Sequence, residues 1–320
     1  MIIASRRSAF RKPAVLVPLA LLALAGAGWW VASLFAAGEV ADARARLLAD
    51  VDATLASRPV AVGELSRLVA ALRKLPDHDV ADDLLAAQAR IELERDRPDS
   101  AQKLFLAIAT RPGATSDQQR LGARILLRLQ EAGGGDPSAA IGWLTQVADL
   151  AEAAARANGT ADDLLRAWQA AERSGQHERA RAFARQLAEQ HAGRPEAAFV
   201  ALTAAFGAAT SVDVVDQAVV DLDPPPVEAL ALRAFAQLQG KDLQAAVATA
   251  EQALLRAPGV FVVRWAAAVV FHACASGHEA GGAERARWVA RRDAQLDWVS
   301  AWPSVSEPLR KQAAAMRELR

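Results

Sequence analysis

From residue 40 to the end of the chain, apolar positions recur at intervals of three and four, and helix breakers arrive every fifteen to twenty residues. Strands would show alternation instead, so this pattern predicts a succession of amphipathic helices. The breakers include Arg58-Pro59, Leu75-Pro76, Arg97-Pro98-Asp99, Arg111-Pro112-Gly113, Asn158-Gly159, Ser174-Gly175, Gly193-Arg194-Pro195, Pro224-Pro225-Pro226, Gly240, Pro258-Gly259 and Gly281-Gly282. Asp, Ser and Thr beside many of them can cap the helix that follows. Only Val212 to Val220 approaches alternation, and its acids at Asp213 and Asp216 suit a helix equally well.

The N-terminus has a different pattern. Residues 14–37 read AVLVPLALLALAGAGWWVASLFAA without a charge, 24 residues that as a helix would reach about 36 Å at 1.5 Å per residue. Arg6, Arg7, Arg11 and Lys12 precede the run with no acid, whereas Glu39, Asp42, Arg44 and Arg46 mix the signs after it. The positive-inside rule then keeps residues 1–12 in the cytoplasm, makes 13–37 a single transmembrane anchor, and carries the remainder across a cytoplasmic (inner) membrane into the periplasm or outside. Ala25-Gly26-Ala27 offers a competing reading as the cleavage site of a removed signal peptide. The apolar run continues ten residues past Ala27, which favours the uncleaved anchor.

Within the helical part, two short turns into second helices, Gly175 to Ala180 and Lys241 to Ala246, place their alanines 66 residues apart, twice 33. Pro225 and Pro258 are also 33 apart. Ala234, Ala246, Ala250 and Ala253 are small where two helices of a pair would cross, and Ala89, Ala101 and Phe105 occupy the corresponding positions of a unit beginning near Asp82. These residues resemble the tetratricopeptide repeat, a 34-residue helical pair, over about residues 79–258. Trp168 departs from the pattern at a position where a small residue is expected, and Ile108 and Leu187 depart at another. The resemblance implies an all-α chain, with a helical N-terminal cap at 38–78, an α-solenoid of helical pairs at 79–258 and a helical C-terminal cap at 259–320.

Composition agrees with helix and limits the chemistry. Ala fills 78 positions, Tyr is absent, and 37 basic residues balance 37 acidic ones, so bulk charge names no partner and nucleic acid is not expected. A single cysteine, Cys274, excludes an intrachain disulfide and a paired-cysteine zinc site. No Walker-A, GxGxxG, HExxH, GxSxG or EF-hand pattern occurs, so neither a catalytic residue nor a metal or cofactor is expected. In the segment holding His272, Cys274 and His278, His272 and Cys274 face roughly opposite ways on a helix, so a buried cysteine beside helix-end histidines is the plainer reading. Asp82-Asp83 and Asp162-Asp163 open helices, where acids are favourable without any ligand. Trp265, Trp288, Trp298 and Trp302 stand among arginines near the C-terminus and are expected to pack the terminal cap.

Taken as a tetratricopeptide-like stack, the first helix of each pair lines a concave face. Registers beginning at Asp82, Ala161 and Val227 then direct Asp83, Arg90 and Leu93, Asp162, Leu165 and Gln169, and Glu228, Phe235 and Leu238 into a partner-binding groove. The mixture suits an extended or helical peptide with basic and apolar anchors. The functional expectation is a membrane-anchored scaffold or chaperone-like adaptor of a bacterial cell-envelope assembly with a protein or peptide partner, and not an enzyme. A cytoplasm-facing tethered adaptor and an enzyme subunit with an unrecognised site are the alternatives.

Overall fold

The structure, a computed structural model, describes residues 38–57, 60–133, 137–207 and 210–318. The chain divides into two compact units, Met1–Ala87 and Gln88–Arg320. The expected membrane span lies outside the described residues. Among those described, no helix is long and apolar enough to cross a membrane.

In the first unit, helix α1 (38–56) and α2 (Val62–Leu72) precede the start of α3 (Asp82–Glu94). Val51, Leu65, Leu68, Leu72 and Leu84 are buried, and Arg44 of α1 binds the Asp83 carboxylate.

The second unit continues α3 and adds α4 (Pro98–Ala109), α5 (Ser116–Ala132), α6 (Pro137–Asn158), α7 (Ala161–Arg173), α8 (His177–Gln190), α9 (Pro195–Ala205), α10 (Val212–Val219), α11 (Val227–Gln239), α12 (Leu243–Arg256), α13 (Phe261–Ser276), α14 (Ala283–Ser300) and α15 (Glu307–Glu318). The described residues are helical with no strand, and the stretch nearest to alternation, Val212 to Val219, is helix α10. Local chemistry sets the boundaries. Pro98 and Pro195 stand in the first turns of their helices, where a missing N–H costs nothing. Thr115 and Gln118 form a capping box at α5, while Thr160, Ser211 and Asp242 cap α7, α10 and α12.

From α4 to α15, nearly every helix packs on its neighbour in sequence, and first helices also meet across pairs, α5 with α7, α7 with α9 and α11 with α13. The first helices begin at residues 82, 116, 161, 195, 227 and 261, so successive starts lie 34, 45, 34, 32 and 34 residues apart. The one long interval contains α6, which has 22 residues where α4, α8 and α12 have 12 to 14. Adjacent helices thus pack in pairs, compatible with a helical repeat, and α13 and α14 lie in the stretch expected as the helical C-terminal cap. The small residues expected at the crossings are buried: Ala89, Ala101, Ala234, Ala246, Ala250 and Ala253. They let helices approach closely, as does Gly122 of α5, where an added Cβ would run into Ala109 of α4. Trp168 fills its position differently, with its ring edge-on to Phe199 at 6.2 Å and 90°.

Candidate functional site

The run of pairs in the second unit curls until residues about 130 apart in sequence touch. The amide of Gly259, in the α12–α13 turn, donates to the carbonyl of Glu131 at the end of α5 at 3.0 Å, and Gln130 Nε2 donates to the Gly259 carbonyl at 2.8 Å. Gly259 is required there because a side chain would collide with the backbone oxygens of Gln130 and Gly133. Further along, Ser304 Oγ donates to the carbonyl of Ser174 at 3.2 Å. These bonds tie the ends of α5 and α7 to the segments before α13 and α15, beside a lined space.

A buried polar network closes part of that space. Arg173, at the end of α7, donates through Nε to Glu228 at 2.6 Å, through Nη1 to Gln130 at 2.8 Å and through Nη2 to Glu131 at 3.2 Å. Gln169 Nε2 adds a bond to the second Glu228 oxygen at 3.0 Å. Burial by itself would raise the Glu228 pKa, but the Arg173 charge and hydrogen bonds, helped by Gln169, outweigh it and hold the carboxyl below its ordinary value. Burial likewise opposes the charge of Arg173, and the carboxylates of Glu228 and Glu131 more than compensate.

Next to this network lies a cavity of about 320 Å³. Trp168, Leu232, Phe261 and Val262 supply apolar walls from α7, α11 and α13, Trp302, Val305 and Leu309 supply another, and Glu172 and His177 also line it. The His177 ring faces Glu172 at 3.4 Å.

Arg90 of α3 and Arg166 of α7 stand close enough to Arg124 of α5 to repel its charge. Arg124 of α5 is solvent-exposed and makes no hydrogen bond or ion pair among the described residues, yet the protein around it lowers its pKa, by desolvation first and by the charge of Arg166 second. Asp162 and Glu94 pull in the opposite direction, and Arg90 adds to the repulsion. Its like-charged neighbour Arg166 is occupied by Asp162 and, at 3.7 Å, Asp163, and Arg120 is bound to Asp163 at 2.8 Å, leaving Arg124 available to an incoming acceptor.

Of the nine residues expected in the groove, the structure joins Gln169 to Glu228 directly and buries both in the Arg173 network. Leu93 and Leu165 are also buried, Phe235 and Leu238 are half-buried against clusters built on α13, and Arg90 lies near Arg124. Asp83 and Asp162 are exposed and engaged by Arg44 and Arg166. Arg124 is the inner-face residue that the sequence reading did not single out, because no register was placed on α5. The signal was present in Thr115 and Gln118, whose capping box starts a first helix 34 residues after Asp82 and puts Arg124 at the position equivalent to Arg90.

Elsewhere, Cys274 is buried and His272 half-buried on α13, while His278 is exposed beyond its end. Burial, then the charge of Arg292, lowers the His272 pKa, and burial raises that of the Cys274 thiol. No group of three metal-ligating side chains occurs among the described residues. Trp265 and Trp302 are buried, and the Arg291 guanidinium lies 4.1 Å from the Phe271 ring centre and 4.8 Å from that of Trp288. No protein-family profile matches the chain, and no curated protein matches it.

Proposed function

We propose that this chain is a tetratricopeptide-like adaptor of a bacterial cell-envelope assembly, anchored by residues 13–37 with its helical part outside the cytoplasm, and that it holds a segment of a partner protein against the inner face of its helical pairs. It works as a scaffold or chaperone-like holder and carries out no chemistry of its own. The observation that supports this reading most directly is Arg124, an exposed cation on α5 that makes no hydrogen bond or ion pair among the described residues and stands among Arg90, Arg166, Glu94 and Asp162. An unpaired guanidinium in partly desolvated surroundings gains from a carboxylate or other acceptor that a partner brings. The partner segment is therefore expected to carry an acidic or carbonyl-rich stretch beside its apolar anchors.

The test is site-specific photocrosslinking in native membranes, with the reactive group at Arg124 on the inner face or at Arg185 on helix α8. One discrete adduct from position 124, absent from position 185 and lost on Arg90→Glu, is the expected result. Equal labelling from both positions would remove the inner-face adaptor reading. A reporter active only outside the cytoplasm, fused after Arg320, should work in the same cells, whereas its inactivity would turn the adaptor to the cytoplasmic side.

A further inference from the structure

The cavity beside Trp168 owes one wall to the chain's own C-terminal segment. Trp302 and Val305 are buried there, and Trp302 stacks near Phe261 at 6.1 Å and Trp298 at 5.0 Å between ring centres. The segment crosses to the α7–α8 turn, where Ser304 bonds the Ser174 carbonyl. Gly175 accommodates it: a Cβ at that position would stand 2.8 Å from Ser304 Cβ and 2.9 Å from its Oγ. Pro303, Ser304 and Ser306 remain exposed, so the buried Trp302 and Val305 and the Ser304 hydrogen bond hold the crossing.

The seating is incomplete. About 320 Å³ stays open beneath the segment, against the apolar surfaces of Trp168, Leu232, Phe261 and Val262. Side chains lining such a space lack contacts that a better-fitting group would supply. Beyond the crossing, α15 buries only Ala313 and Met316, which rest on Trp265, Ala268, Leu296 and Val299. Few groups must therefore leave apolar surroundings for the segment to lift.

We propose that Trp302–Leu309 is a strap occupying, in cis, an inner-face site for a partner segment of the same chemistry: an aromatic side chain followed three and seven residues later by aliphatic ones, as Trp302, Val305 and Leu309 are spaced. The inference rests on the adaptor reading and specifies what its inner face accepts and what guards it. A partner segment that fills the cavity displaces the strap, and until then the apolar surfaces of Trp168, Leu232, Phe261 and Val262 are covered.

The experiment uses a labelled peptide of residues 301–310 and the full chain in detergent or nanodiscs, measured by fluorescence anisotropy. Two variants loosen the strap by different means. Trp302→Ala with Val305→Ser removes its anchors, and Ser304→Arg places a bulky group against Gly175 while leaving those anchors intact. The native chain should bind the peptide weakly, and Ser304→Arg at least tenfold more tightly. A peptide with Trp and Val replaced by Ser should not bind either. Hydrogen exchange at 301–316 should quicken in both variants without change in α7 or α11. Equal affinity of the native chain and Ser304→Arg, or no binding by any form with helix content intact, would overturn the strap. Such a failure alongside a discrete crosslink at position 124 removes the strap alone. Peptide binding without that crosslink keeps the strap and removes the adaptor reading.

Discussion

Replacing Arg173 by Met should cost the protein about 3–5 kcal/mol, and the loss should depend on pH in a direction that the structure fixes. The Arg173 side chain is 4% exposed and sits between Glu228 and Glu131, each 9% exposed. Its removal strands carboxylates away from water, the costly way to break a buried ion pair. Because native proteins hold only about 5–15 kcal/mol in reserve, this one substitution consumes a large share. In the native chain the Glu228 pKa is depressed, so its contribution is complete above the ordinary carboxylate range and fades as pH falls through the folded value. Without Arg173, burial remains and carries the Glu228 pKa upward, so the variant takes up a proton as acid is added. The gap between native and variant should therefore be widest near pH 8 and narrow toward pH 5. Urea titrations followed by circular dichroism at both values measure it. Arg173→Met with Glu228→Met, which removes both charges, should lie nearer the native stability than Arg173→Met alone. A single-variant loss below about 1 kcal/mol, or the same loss at pH 5 and pH 8, would refute the reasoning.

Two further outcomes test the packing. Gly259→Ala forces a methyl group against the Gln130 and Gly133 carbonyls. It should cost about 3 kcal/mol or more in denaturant titrations and accelerate hydrogen exchange at both the α5 end and the α12–α13 turn. Trp168→Ala introduces the small residue that the resemblance to the tetratricopeptide repeat would place there, yet it should destabilise by about 3–5 kcal/mol, because the indole is buried edge-on to Phe199. A rise in melting temperature would mean that the indole is tolerated there rather than used.

Spacing along the chain was enough to read helices, their order and most of their ends, because each depends on neighbours within four residues. A capping threonine such as Thr160, a proline in a first turn such as Pro195, or apolar groups at three and four act locally wherever the chain goes. The small crossings at Ala234, Ala246 and Ala250 were legible for the same reason: a helical pair is formed by adjacent segments. The long interval between α5 and α7 showed in sequence only as spacings of 39 and 40 residues from Ala101 to Ala140 to Ala180, since nothing short-range announces that α6 will run for 22 residues.

What stayed hidden were the encounters between residues about 40 to 130 apart. In sequence Glu228 and Gln169 read as polar residues lining a partner-binding groove, with no sign that they would bind each other. Only the curl of the second unit brings Arg173, from the end of another helix, between Glu228 and Glu131, and lays Ser304 over Gly175. Each of these contacts joins helices with others between them along the chain, so it depends on how all the intervening helices are placed. No single pair encodes the placement of the others, so the sequence by itself determined the helical pairs, and the tertiary structure decided which of their faces are buried, charged or exposed.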